Sequence, residues 1–161
     1  MKTSHDNNRI ADIFGLIGWL AATFLFAAIG ARFLPGEWYR ALTKPALTPP
    51  DFIFAPVWTL LYILMALAAW LVWRQGGFKS NRLALSLYGA QLVLNALWSW
   101  IFFGQHQIGF ALIDILVLLS VIILTAIKFH TINRHAAILM TPYILWVTFA
   151  TYLNFELWRL N

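Results

Sequence analysis

Five stretches of this chain, residues 13–31, 52–73, 83–103, 108–127 and 136–155, each approach the roughly 20 consecutive apolar residues that a bilayer core requires. Hydrocarbon offers no partner for a peptide group, so each stretch has to satisfy its own backbone, and that means a helix. The connections 74–82, 104–107 and 128–135 are short, which makes consecutive helices antiparallel neighbours. The expected fold class is therefore all-α integral membrane, a five-transmembrane-helix bundle with a long ordered loop between helices 1 and 2. Helices are expected over about 10–33, 51–74, 82–103, 107–129 and 134–157, in a single domain covering 1–161. Composition agrees: 61% of residues are hydrophobic and 11% charged, against about a quarter charged in soluble domains.

The first apolar stretch is read as an uncleaved helix, because it has spanning length and the rest of the chain needs it for packing. The run 27–31 imitates a small-x-small cleavage site. With no cysteine, disulfides, thiolate metal sites and Cys nucleophiles are excluded. The net charge of +5 comes from Lys and Arg scattered singly over termini and loops. No basic stripe exists, so nucleic acid is not an expected partner, and membrane lipid is. Seven cations (Lys2, Arg9, Arg74, Lys79, Arg82, Lys128, Arg134) share one side, against four (Arg32, Arg40, Lys44, Arg159) on the other. The positive-inside rule then puts the N-terminus in the cytoplasm. The expected localisation is a membrane that the chain crosses several times.

The connection 32–51 is too long to be a plain turn. Trp38, Tyr39, Leu42 and Leu47 argue against disorder, and its prolines stiffen it. It is read as a lid over one end of the bundle, the alternative being an interfacial aromatic anchor. Asp51 is placed to cap the second helix, Pro56 lies in its first turn, and Pro142 is placed to kink the fifth.

Inside the third stretch, Gln91, Asn95 and Trp98 share one helical face, which Tyr88 and Phe102 extend. An unpaired amide in hydrocarbon costs several kcal/mol, so both amides must meet another helix, water or a ligand. The second helix offers a matching face of Ala55, Trp58, Tyr62, Met65 and Ala69. The fifth offers Tyr143, Trp146, Ala150, Leu153 and Asn154. If these faces converge they form an aromatic pocket with a few amides, suited to a planar, mostly apolar ligand. The alternative is that the amides bond across helices as glue. Residues alone leave the two even.

Other features are less specific. Trp70, Trp73, Trp100 and Trp158 fall near span ends, where tryptophan forms belts, and Trp19 is lipid-facing or core. Asp114 is the one carboxylate well inside a span; it is expected to pair with a neighbour, the alternative being a relay or ligand contact. His5, His106, His130 and His135 all lie in termini or connections, without ligand spacing inside a helix, so no metal site is expected. No Ser/His/Asp set or phosphate loop is visible, which excludes ordinary hydrolase chemistry. Gly18 with Ala22, and Ser86 with Ala90, form small-xxx-small pairs of the kind that let helices dimerise.

Four blocks, WYRALTKPALTPP (38–50), APVWTLLY (55–62), QLVLNALWSWIFF (91–103) and TPYILWVTFATYLN (141–154), together resemble the TspO/MBR family. The resemblance runs in order over essentially the whole chain. It implies a five-helix membrane bundle, often a homodimer, that binds porphyrins such as protoporphyrin IX and, in some members, sterols. It also implies a bacterial cell membrane or outer membrane as the location. Family pocket positions match Trp38, Tyr39, Trp58, Asn95, Trp98 and Trp146, with Gln91 and Ala150 beside them. Tyr62 and Phe102, on the same helical faces, complete the expected ligand-binding set. In some bacterial members the positions matching Trp58 and Trp146 are linked to light-dependent porphyrin breakdown. The animal proteins' C-terminal cholesterol motif is incomplete in LNFELWR, where Phe155 stands at the tyrosine position. The expected function is a porphyrin receptor or sensor in tetrapyrrole metabolism or its regulation, with no obligatory cofactor. A light- and oxygen-dependent porphyrin-degrading enzyme and a carrier of porphyrin or sterol-like lipid are the alternatives.

Overall fold

The computed structural model describes the backbone from Lys2 and the side chains from Ile10 to Asn161, so the side chains of Lys2, His5 and Arg9 lie outside the described residues. Five long helices carry the fold: α1 (Lys2–Gly30), α3 (Phe54–Trp73), α5 (Arg82–Ser99), α6 (Ile108–Ile132) and α7 (Arg134–Leu160). All five are long and apolar enough to cross a membrane. Two short helices, α2 (Glu37–Ala41) and α4 (Gly77–Ser80), sit in connections. Helix α1 packs on α3 and α5, α5 on α6, α6 on α7, and α7 returns to α3. The ring is therefore closed, and its interior is the core, with Met65, Tyr88, Ile122, Met140 and Tyr143 fully buried.

Small residues set how closely the ring draws in. A Cβ built on Gly15 would stand 2.3 Å from the Trp73 ring, and one on Gly30 would stand 3.3 Å from Ser99 Oγ and 3.7 Å from Ala96 Cα. Those two glycines let α1 lie flat on α3 at one end and on α5 at the other. At the α3 end, Arg74 closes a 2.7 Å ion pair with Asp12, and Trp70 Nε1 donates to Asp12 O over 3.0 Å. Deeper in, Thr23 Oγ1 donates to Trp19 O and shares a 2.6 Å hydrogen bond with Tyr88 OH, which must then be the donor. Trp19 sets its ring edge-on against Tyr88, so of its two expected settings it takes the core one.

The connections depend on local chemistry. Gly76 (φ 121°) and Gly77 (φ 69°) make the left-handed turn after α3, where a side chain would be strained. Asn81 Nδ2 donates to the carbonyls of Val72 and Gln75 at the end of α3. Asn133 alone separates α6 from α7, and its side chain accepts from His135 N and Ala136 N as an N-cap.

Several expected boundaries move. Regular α-helix in the third span stops at Ser99, and Trp100–Gly104 forms a π turn in which Gln105 N donates to Trp100 O. Helices α6 and α7 run to Ile132 and Leu160, about a turn beyond expectation. Asp51 opens a 3₁₀ turn (Asp51–Ile53) after Pro50 and makes no capping bond, so the second span starts without the cap expected of it. Pro56 does fall in the first turn of α3, and α7 continues unbroken through Pro142. Gly18, Ala22, Ser86 and Ala90 all face outward, away from the contacts within the chain.

Candidate functional site

The bundle opens at the end where α1 and α5 finish and α3 begins. A cavity of about 600 Å³ lies there, inside the usual pocket range of roughly 300–1,000 Å³. All five spans contribute wall. Helix α1 gives Ala27, Gly30 and Ala31; α3 gives Phe54, Ala55, Trp58 and Tyr62; α5 gives Asn95, Trp98 and Ser99. Helix α6 adds Ile115 and Leu118, and α7 adds Trp146, Val147 and Ala150. The connection from α1 to α3 covers the opening with Phe33, Leu34, Pro35, Tyr39, Arg40, Lys44 and Asp51. The small side chains Ala27, Gly30, Ala55 and Ala150 leave space, and the indoles of Trp58, Trp98 and Trp146 supply flat apolar walls.

Hydrogen bonds hold these walls. Tyr62 OH donates to Asn95 Oδ1 over 2.8 Å, and Asn95 Nδ2 donates to Tyr143 OH over 3.2 Å, tying α3, α5 and α7 together. Trp98 Nε1 donates to Asn154 Oδ1 over 3.0 Å, and Asn154 Nδ2 donates to Ile108 O over 3.0 Å. Trp58 stacks on Tyr62 at 5.4 Å, and Trp146 meets Phe54 edge-on at 5.9 Å. Asn95 retains one amide proton beyond these bonds, on the cavity wall. In hydrocarbon such interhelical bonds each contribute about 0.6–2 kcal/mol, and their geometric effect is to lock three aromatic rings in place.

The lid is ordered by packing and by two polar anchors. Tyr39 sets its ring edge-on to Phe102 and Phe103. Trp38 stacks on His106 with ring centroids 4.2 Å apart, and His106 holds a left-handed φ of 57° to present that face. Thr43 N donates to Asn161 Oδ1, and Asn161 Nδ2 donates back to Thr43 O and to Leu157 O. Lys44 places its ammonium 3.3 Å above the Tyr39 ring and donates to Tyr39 O. Burial pushes the Lys44 pKa down, with the Asp51 charge pushing partly back up; burial and the Asp51 charge both push the Tyr39 phenol up.

This arrangement has relatives. A profile of the TspO/MBR family matches residues 15–159. The human translocator protein is 39% identical over 150 residues, spanning 90% of this chain and 89% of its own. A tryptophan-rich sensory protein of Cereibacter sphaeroides is 41% identical over 143 residues, covering 89% of each chain. A tryptophan-rich protein TspO of Archaeoglobus fulgidus is 38% identical over 153 residues, 93% of this chain and 99% of its own. The chain belongs to the TspO/MBR family. It is, accordingly, a multi-pass integral membrane protein.

Within this TspO/MBR bundle, Tyr39, Trp58, Tyr62, Asn95, Trp98, Trp146 and Ala150 all reach the cavity wall. Trp38, Gln91 and Phe102, expected beside them, do not. Trp38 lies on the outer face of α2, against His106 and Phe102. Phe102 follows Ser99, where the π turn changes the helical phase and sends its ring into a satellite core with Ala111 and Leu157. Gln91 lies one turn deeper than Asn95, is fully buried, and neither of its amide atoms has a partner among the described residues. The partner expected for Asp114 is also missing: its Oδ2 is buried and unpaired among the described residues. On α3, Met65 and Ala69 continue the predicted face but pass into the core.

Sequence reasoning missed the walls from α1 and α6. Ala27, Gly30, Ile115 and Leu118 read as ordinary lipid-soluble helix, and only the one-turn spacing of small residues near the end of α1 hinted at room there. Among the described residues no group of three His, Asp or Glu side chains is placed to hold a metal ion.

Proposed function

We propose that this protein is a membrane receptor that binds porphyrins, such as protoporphyrin IX, in the cavity beneath the lid, and that it acts as a sensor or regulator in tetrapyrrole metabolism. One observation carries the reading: Trp58, Trp98 and Trp146 wall one cavity of about 600 Å³ from three helices. Such walls suit a flat ring, which stacks on indole at little cost in side-chain freedom. The remaining amide proton of Asn95 offers a directional contact to a ring edge. No cofactor is required for this. The names of two relatives, translocator protein and tryptophan-rich sensory protein, fit a sensing or carrying role in a membrane. The outward small-residue faces at Gly18 and Ser86 support a homodimer, since a Cβ at Gly18 would meet nothing within 4 Å.

Quenching of tryptophan fluorescence by added protoporphyrin IX tests the proposal. Saturable quenching is expected, weakened about fivefold or more in Asn95→Ala and in Trp146→Phe, from one lost polar or stacking contact. Unchanged affinity in both variants would sink this cavity as the site. One observation supports the degrading-enzyme alternative: Trp58 and Trp146, both oxidisable indoles, line the same space as the photosensitising ring would. Loss of the Soret band in light and oxygen, abolished when both become Phe while dark binding persists, would move the reading to that enzyme.

A further inference from the structure

The charges around this cavity are not evenly distributed. Among its lining residues Arg40, Lys44 and Asp51 are the basic and acidic side chains, and all three belong to the connection and 3₁₀ turn that cover one end. The remainder of the wall is aliphatic, aromatic or neutral polar. Two basic side chains and one acidic side chain therefore line the lid end, and the rest of the wall has no acidic or basic side chain.

Among the described residues neither cation forms an ion pair with a carboxylate. The described ion pairs are Asp12–Arg74 and Glu156–Arg159, and neither involves Arg40 or Lys44. Arg40 is exposed at the rim with its guanidinium unengaged among the described residues. Lys44 is half-buried, its ammonium held over the Tyr39 ring and donating to Tyr39 O, with no ion-pair partner among the described residues. An oxyanion arriving between them would form charge-assisted hydrogen bonds, about twice as strong as neutral ones, in a setting less screened than bulk water. A guanidinium and an ammonium also differ usefully: the first grips a carboxylate with two parallel bonds, the second as a point charge.

We propose that Arg40 and Lys44 form a carboxylate-reading rim, so that the cavity takes a planar apolar body with its carboxylate edge turned toward the lid. This inference rests on the porphyrin reading above and adds orientation and ligand class to it. Asp51 limits the attraction and disfavours a highly charged ligand, because a second or third anionic group would approach a carboxylate.

The test compares protoporphyrin IX with its dimethyl ester, by tryptophan quenching in neutral detergent at low salt. The free acid is expected to bind about tenfold more tightly than the ester, the range of one charge-assisted contact at a partly exposed site. In the Arg40→Gln/Lys44→Gln double variant the acid-to-ester ratio should fall to about one. Asp51→Asn should act oppositely and raise the ratio about threefold, as expected for removing one repelling charge at a screened rim. That variant decides the matter if the double variant does not fold. A wild-type ratio near one, a ratio that survives in the double variant, or a ratio that fails to rise in Asp51→Asn would overturn the rim. If neither compound binds, the porphyrin reading itself fails, an outcome distinct from acid and ester binding equally.

Discussion

At the scale of single residues, the two amides of α5 part company. Their shared face was legible in the sequence, as was their need for partners in hydrocarbon. Which partner each takes was not legible, because it depends on the depth of each along the helix relative to the cavity floor. Asn95 is both glue and wall: it binds Tyr62 and Tyr143 and still lines the cavity. Gln91 is neither, being fully enclosed with both amide atoms unpaired among the described residues. These settings predict opposite outcomes. Gln91→Leu removes an unpaired buried amide and should raise stability by about 0.5–1.5 kcal/mol. Asn95→Leu orphans the Tyr62 hydroxyl and breaks its link to Tyr143, and should lower stability by about 1–2 kcal/mol. Denaturation in mixed detergent micelles measures both, and a destabilised Gln91→Leu variant would contradict this account of the site.

Among the elements, long helices follow from apolar length, and all five spans were readable, although helix α1 begins at Lys2, about two turns before its expected start. The parts that position the lid were not. Helix α2, within the lid, has five residues, too few to show a period. The π turn at Trp100–Gly104 is a matter of backbone bonding, such as Gln105 N to Trp100 O, which leaves no compositional trace yet decides that Phe102 misses the cavity. The lid's anchor to the end of α7 joins residues 118 positions apart, beyond any local pattern. That anchor is testable. Asn161→Ala removes both bonds to Thr43, and amide exchange at Thr43 should accelerate about fivefold to tenfold, equivalent to roughly 1 kcal/mol of local stability. Unchanged protection would mean that Tyr39 and Trp38 packing holds the lid without it.

For the molecule as a whole, the sequence pointed to a pocket among three helices, and the structure closes it with five. Helices α1 and α6 were missed because a pocket wall of Ala, Gly, Ile and Leu has the same composition as a surface facing lipid. Only the ring order, α1 to α3 to α7 to α6 to α5, turns those residues inward. The resulting division of labour is simple: hydrogen bonds fix the aromatic walls, small residues on α1, α3 and α7 keep the space open, and the lid carries the charge. The central claim is that this space is where a flat ring binds, and filling it tests that most directly. Ala55→Phe and Ala150→Phe each add a ring to the cavity wall, from neighbouring helices α3 and α7, without removing any side-chain hydrogen bond. Both should abolish saturable quenching by protoporphyrin IX while the protein keeps its wild-type elution and thermal stability; wild-type affinity in either well-folded variant would contradict the account.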